Sequence, residues 1–185
     1  MLELDCRVIC VDINAGELKN LELDIKLKHR KREAFFYKAD LSSLDEIKKL
    51  SASIIKEIGH VDILINNAGI MNKAKLFLDL NEPEIQNIFD INILAHMWLC
   101  KEFLPGMIKR NRGHIVNVSS SLGMFGAYKL VDYCSTKFAC VGFTESLRLE
   151  LKIHNPNSNI KVSLVCPFHV KTNLFNGFEM SRLKW

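Results

Sequence analysis

Five short apolar runs, each closing on a polar or turn-forming residue, alternate with four longer stretches of helical periodicity along this 185-residue chain. No other feature limits the fold as strongly. Arg7 to Val11 (RVICV) ends in Asp12, Ala34 to Ala39 (AFFYKA) closes on Asp40-Leu41, and Val61 to Ile65 leads into Asn66-Asn67-Ala68-Gly69. The run at 114–118 leads into three serines, and Lys161 to Cys166 ends at Pro167. Runs this short and rich in β-branched residues read as buried parallel strands. Between them, residues 14–30 carry Leu18, Leu21, Ile25 and Leu27 on one side, and Ser42 opens a helix through Ile58 with Leu44, Ile47, Leu50 and Ile54 on its face. Further helices are predicted over 82–109, apolar on more than one side, and over 131–152. Strand–helix alternation builds right-handed crossovers, which gives an α/β fold with a doubly wound parallel sheet covered on both faces. Ligands of such sheets sit beyond the carboxyl ends of the strands. Asp12, Asp40, Asn66 to Gly69, Ser120 and Pro167 all fall there.

Composition narrows the class without naming a function. The length suits one domain, and 48% hydrophobic with 25% charged residues is ordinary for a globular protein. The net charge is only +4, and much of it lies in the run Lys26 to Arg32. With no aromatic interleaving and no second basic patch, that run reads as a solvated helix end and not as a nucleic-acid surface. The six cysteines show neither a Cys-x-x-Cys pair nor zinc-ligand spacing, so no metal site is expected and a reducing compartment fits. No apolar segment approaches the ~18 residues of a membrane span, and the chain by itself reads as cytosolic.

Chemistry concentrates between Gly113 and Lys137. Tyr133 and Lys137 stand at i and i+4 of a predicted helix, on one face. An ammonium beside a phenol favours the phenolate, so the Tyr133 pKa is expected below its usual ~10, as a general acid/base requires. Ser120, thirteen residues earlier at a strand end, could hydrogen-bond a reacting oxygen. Alone, a Tyr-x-x-x-Lys pair is usually a solvated helix face, and an isolated Asn-Asn-Ala-Gly is only a turn signal. Asp12 reads either as the acid that takes ribose hydroxyls in a dinucleotide fold, disfavouring a 2′-phosphate, or as a turn residue opening the next helix. An Asn at position 92, inside so apolar a helix, needs partners there or within its own helix.

Ser120 with Tyr133-x-x-x-Lys137, in register with Asn66-Asn67-Ala68-Gly69, resembles the short-chain dehydrogenase/reductase family. The resemblance runs from Arg7 to about Phe178 and implies a Rossmann-like fold and an NAD-dependent oxidoreductase. It implies Asn92, Ser120, Tyr133 and Lys137 as catalytic residues, with Asn92 holding a relay water. It further implies cofactor contacts at Asp12, Asp40, Leu41, Asn67, Ala68, Gly69, Tyr133, Lys137, Val170 and Thr172. Phe168 replaces the glycine that usually follows Pro167 in the family's nicotinamide loop. His114 and His169 receive no role. The segments Asp12-Ile13-Asn14, Leu94 to Trp98, Phe103-Leu104-Pro105 and Val165 to Phe168 are similar to the branch that oxidises retinol and related steroid or lipid alcohols. That implies an apolar alcohol or carbonyl substrate, a homodimer through helices 82–109 and 131–152, and a place at the endoplasmic reticulum or lipid droplet.

The family's glycine-rich turn is not found, since Gly16 is the only glycine before Gly59. A partial domain is therefore expected over 1–185, lacking the first strand, the glycine-rich loop and the last strand, with its sheet split. The alternative reading is a cofactor-deficient product that pairs with full-length protomers.

Overall fold

The structure, a computed structural model, describes residues 1–4, 6–29, 33–168 and 170. Its strands are β1 (Val8–Asp12), β2 (Ala34–Lys38), β3 (Ile63–Asn66), β4 (Gly113–Val118) and β5 (Ile160–Val165). Its helices are α1 (Ala15–Lys28), α2 (Leu44–Ile58), α3 (Glu82–Phe89), α4 (Ala95–Arg110) and α5 (Val131–His154). All strand pairs are parallel, in two sheets: β1 with β2, and β3-β4-β5. The expected split of the sheet is thus present among the described residues.

Helix starts follow local side-chain chemistry. Asn14 caps α1 by accepting from the amides of Gly16 and Glu17. Asn81 and Glu84 close a reciprocal capping box on α3, with Pro83 in its first turn. The cap of α2 is Ser43, not Ser42, because the amide and hydroxyl of Ser42 are both taken by Asp40 Oδ1. On α1 only Leu18 and Ile25 are buried, while Leu21 and Leu27 face solvent. The basic run starts as the solvated face expected, with Lys26 and Lys28 paired to Glu22 and Asp24 one turn earlier.

One core joins the two sheets. Ile47, Leu50 and Ile54 of α2 pack with Ala95, Leu99, Phe103 and Met107 of α4, over Leu64 of β3 and Ile115 of β4. Ile9 and Val11 of β1 and Phe35 and Tyr37 of β2 reach the same cluster. The opposite face of β3-β4-β5 differs from the double covering expected. Ile63, Ile65 and Val165 are 41%, 47% and 42% exposed there, since no described helix lies over them.

The predicted 82–109 helix is interrupted. Asp90–Leu94 forms a π-helical turn between α3 and α4. Such wide turns insert one extra residue per turn and re-aim side chains, frequently at functional sites. Here the turn contains Asn92.

A short turn, Ser121–Gly123, seats the chain against α5. A Cβ at Gly123 would lie 2.7 Å from the Lys137 carbonyl oxygen and 2.7 Å from Ser119 Oγ. Neither neighbour is the end of a flexible side chain, so Gly123→Ala must push the turn off the helix. The expected cost is about 1–3 kcal/mol. It would be read as a lower urea midpoint at unchanged slope. Gly126→Ala, with nothing within 4 Å, serves as the neutral control.

Candidate active site

The carboxyl end of β3 is fixed by a ladder of buried amides. Asn66 Nδ2 donates to Asn117 Oδ1 at 2.8 Å, and Asn117 Nδ2 donates to Thr144 Oγ1 of α5 at 2.9 Å. Beyond this anchor the chain turns through Asn67, Ala68 and Gly69, with Asn67 exposed. Asn92 is wholly buried and holds the next residue at both backbone groups. The Ile70 amide donates to Asn92 Oδ1 at 2.7 Å, and Asn92 Nδ2 donates to the Ile70 carbonyl at 2.9 Å. Asn92 Nδ2 also lies 3.1 Å from Thr136 Oγ1, which donates to the Tyr133 carbonyl at 2.8 Å. Asn92 thus finds its partners outside its own helix.

Four of the proposed residues meet around this turn. Tyr133 and Lys137, one turn apart on α5, are 2% and 4% exposed. A Cβ at Gly69 would lie 3.5 Å from Lys137 Nζ and 3.4 Å from Asn92 Oδ1, so glycine lets the backbone lie open beside the ammonium. Ser120, just beyond β4, accepts from the Leu122 amide at 3.2 Å and stands close enough to the Tyr133 phenol to favour its ionised form. The Ser121 amide donates to the Pro167 carbonyl at 2.9 Å, which brings the end of β5 to the serines.

The electrostatics depart from the sequence expectation. Burial pushes the Tyr133 pKa up; the neighbouring Ser120 hydroxyl opposes this, and nearby Cys134 adds to it. The expected fall does not occur because the ammonium is aimed elsewhere. Lys137 Nζ donates to the Val118 carbonyl at 3.3 Å and sits 5.6 Å from the centre of the Tyr133 ring, over its face. Burial also pulls the Lys137 pKa down.

The remaining candidates lie apart. Asp12 is exposed at the end of β1, and its Oδ1 accepts from the Asn14 amide at 2.8 Å. One oxygen therefore serves the turn that opens α1. Asp40 uses Oδ1 on Ser42, while its own amide donates to Glu46 Oε2 at 2.7 Å. Asp12 closes β1 and Asp40 follows the end of β2 by two residues, and Leu41 packs against the common core. Val170 is 51% exposed, and Thr172 lies outside the described residues.

These positions fit the two ends of a nicotinamide dinucleotide. Carboxylates at the ends of β1 and β2 suit ribose and adenine donors. The small-residue turn at Ala68–Gly69 beside Lys137 leaves room for close backbone approach. Apolar side chains surround Tyr133: Ile70, Met71, Phe89, Leu122, Ala127 and Leu130. The loop carrying exposed Met124 and Tyr128 is tied to the segment carrying Leu76 and Phe77, through the Lys75 amide on the Lys129 carbonyl at 3.2 Å.

Sequence reasoning passed over Thr136, Asn117 and His96. Thr136 and Asn117 bond across elements, which no local pattern announces. His96 had a signal: it stands four residues after Asn92, on the same helix face. It is wholly buried, and its Nε2 is 3.0 Å from the Ala68 carbonyl. Burial first, with Lys137 adding to it and the Ala68 bond opposing, pushes its pKa down to about 4. The imidazole is thus neutral in the native state, while the unfolded chain takes up a proton near ~6.5. This depressed pKa stabilises the fold above pH ~6.5, and the contribution is lost as pH falls toward 4, by at most ~1.4 kcal/mol per pH unit. In thermal melts across that window, the wild-type Tm should fall more steeply than that of His96→Gln. Parallel slopes would show that His96 does not titrate with folding.

The comparisons with known proteins follow this geometry. The short chain dehydrogenase family model matches residues 1–182. Mouse epidermal retinol dehydrogenase 2 is 44% identical over 141 residues, covering 76% of this chain and 45% of that protein. Human retinol dehydrogenase 10 is 40% identical over 171 residues, covering 92% of this chain and 49% of that one. Among solved structures, a metagenomic short-chain oxidoreductase in complex with NADP superposes with a TM-score of 0.82 at 29% identity, covering 90% of this chain and 72% of that one. The chain spans about half the length of the curated relatives it matches.

Proposed function

This chain belongs to the short chain dehydrogenase family, and on that premise we propose that it works as an NAD-dependent oxidoreductase of an apolar alcohol, all-trans-retinol first among the candidates. The observation that carries this reading is the convergence of Ser120, Tyr133, Lys137 and Asn92 on the Gly69 turn inside a buried, apolar surround. A packing or pairing role would not require a buried lysine over a buried tyrosine beside a strand-end serine. Nothing in the comparisons supports pairing as the sole role.

A bound nicotinamide dinucleotide would supply the hydride acceptor. The remaining work falls to this chain. Tyr133 Oη takes the hydroxyl proton of the alcohol, or returns it to the carbonyl oxygen in the reverse direction. Ser120 Oγ steadies charge on the reacting oxygen, an effect often worth ~3 kcal/mol. Lys137 opposes protonation of its surroundings and would hold the ribose hydroxyls of the nucleotide. Asn92 fixes the turn and would orient a relay water.

Preference for NAD rests on Asp12, whose exposed carboxylate at the end of β1 suits ribose hydroxyls and repels a 2′-phosphate. The bound NADP of the structural neighbour pertains to that protein. Retinol is favoured by the retinol dehydrogenases among the relatives and by the apolar loops next to Tyr133. Such an alcohol partitions into lipid, so we place the reaction at the endoplasmic reticulum or lipid-droplet surface. None of the described helices is long and apolar enough to cross a membrane. Homodimerisation is supported by an exposed stripe on α5, formed by Val131, Phe138, Leu149 and Ile153.

The test is titration of NADH and NADPH fluorescence, followed by retinal formation from all-trans-retinol with NAD or NADP. Tighter NADH binding and NAD-linked retinal formation are expected. Failure to bind either nucleotide would overturn the proposal.

A further inference from the structure

We propose that His96 is a positioning residue that holds the Ala68–Gly69 turn in place for the nucleotide and couples it to Cys140 on α5. This rests on the dehydrogenase reading. A carbonyl can only accept, so the 3.0 Å contact with Ala68 O puts the imidazole proton on Nε2. The Nδ1 lone pair then faces the Cys140 thiol, 4.0 Å away, and the S–H is its donor. His96 and Cys140 are both wholly buried. One helical turn before His96, Asn92 holds Ile70 by its amide and its carbonyl.

Two side chains on one face of the π–α4 junction therefore grip the backbone on either side of Gly69, which has no side chain to grip. Lys137 approaches the same glycine from α5, and Cys140 lies on α5 three residues after Lys137. The line Cys140–His96–Ala68 thus sets the distance between the turn and the helix that carries Tyr133 and Lys137. A leucine at position 96 could fill the volume without a buried polar group that must find two partners. The histidine is explained by what it holds. Lys137 is the cation that bears on it and Cys140 its thiol neighbour, so protonation of His96 at Nδ1 would remove the acceptor for the Cys140 S–H while leaving the Nε2–H bond to Ala68 in place.

The test uses the full chain with His96→Leu, His96→Gln, Cys140→Val and Cys140→Ser. Readouts are NADH affinity by fluorescence and exchange of the Ile70 amide by NMR without nucleotide. The split between KM for NAD and kcat is the third. His96→Leu should weaken NADH binding about tenfold or more, since an unsatisfied buried carbonyl is costly. It should also speed Ile70 exchange and raise KM more than it lowers kcat. His96→Gln keeps an N–H and should recover much of the affinity. Cys140→Ser should resemble wild type, while Cys140→Val should shift in the direction of His96→Leu. If His96→Leu does not fold, the Cys140 pair and His96→Gln decide the matter. Equal NADH affinity and equal Ile70 exchange across the variants, with wild type binding NADH, would overturn the positioning role alone. No NADH binding by wild type would overturn the dehydrogenase reading and this role with it.

Discussion

Replacing Tyr133 with phenylalanine is expected to lower kcat for alcohol oxidation by ~10²–10⁴-fold, the range for loss of a general acid/base. Folding should hardly register the change. The ring is packed by Ile88, Leu122, Leu130 and Cys134, and phenylalanine keeps every one of those contacts. What is lost is one hydroxyl beside Ser120, a net ~1 kcal/mol. Melting temperature and NADH affinity should therefore stay close to wild type while turnover collapses. The raised phenol pKa adds a sign to the pH profile. A protonated Tyr133 can donate at once to a carbonyl, but it must ionise before it accepts a proton from an alcohol. Oxidation should climb with pH through the alkaline range, and carbonyl reduction should hold its rate at neutral pH and decline above it. Tyr133→Phe abolishes that dependence along with the rate. Steady-state kinetics in both directions across pH, beside a melt of each protein, checks all of this. A variant that kept wild-type turnover would remove Tyr133 from the chemistry.

How far the residues disclosed this site depends on the range of each interaction. Strand ends were legible because a β-branched run stopping at Asp12, Asp40 or Asn66 carries both its burial and its limit in a few adjacent residues. The i,i+4 spacing also placed Tyr133 and Lys137 on one face correctly. It could not say where a four-carbon side chain would send its ammonium. That is decided by the Val118 carbonyl, nineteen residues away, and the expected depression of the Tyr133 pKa failed for this reason. Ser43 displaced Ser42 as a cap through a competition with Asp40 that a helix-start pattern does not weigh. The π turn was hidden most completely. It accompanies the bond from Asn92 to Ile70, twenty-two residues earlier, and the apolar sequence on either side reads as unbroken helix.

That bond makes Asn92→Leu the substitution with the largest expected effect on stability. Leucine matches asparagine in branching and approximate size, so packing is nearly conserved and the polar loss is isolated. At zero exposure no water replaces the missing amide. The Ile70 N–H and C=O lose their partners together, and Thr136 Oγ1 loses one of its own. Each buried group left unsatisfied costs ~1–3 kcal/mol. Three in one network give about 3–9 kcal/mol before relaxation, against a net stability of about 5–15 kcal/mol for a typical domain. The urea midpoint should drop by a large fraction of its value, or the protein should be recovered unfolded. Asn92→Asp separates the two backbone groups. It keeps an acceptor for the Ile70 amide but loses both donations, and it brings a carboxylate to the Lys137 side of Gly69. It should fall between leucine and wild type, gaining on leucine as pH rises and the carboxylate ionises beside the ammonium. The π turn offers the second readout. If Asn92 sustains it by pulling outward on Ile70, amide exchange across Asp90–Leu94 should change pattern in Asn92→Leu before global unfolding. An unchanged pattern there, with a midpoint near wild type, would mean that the helix bulges for reasons of its own and that Asn92 merely takes advantage of the space.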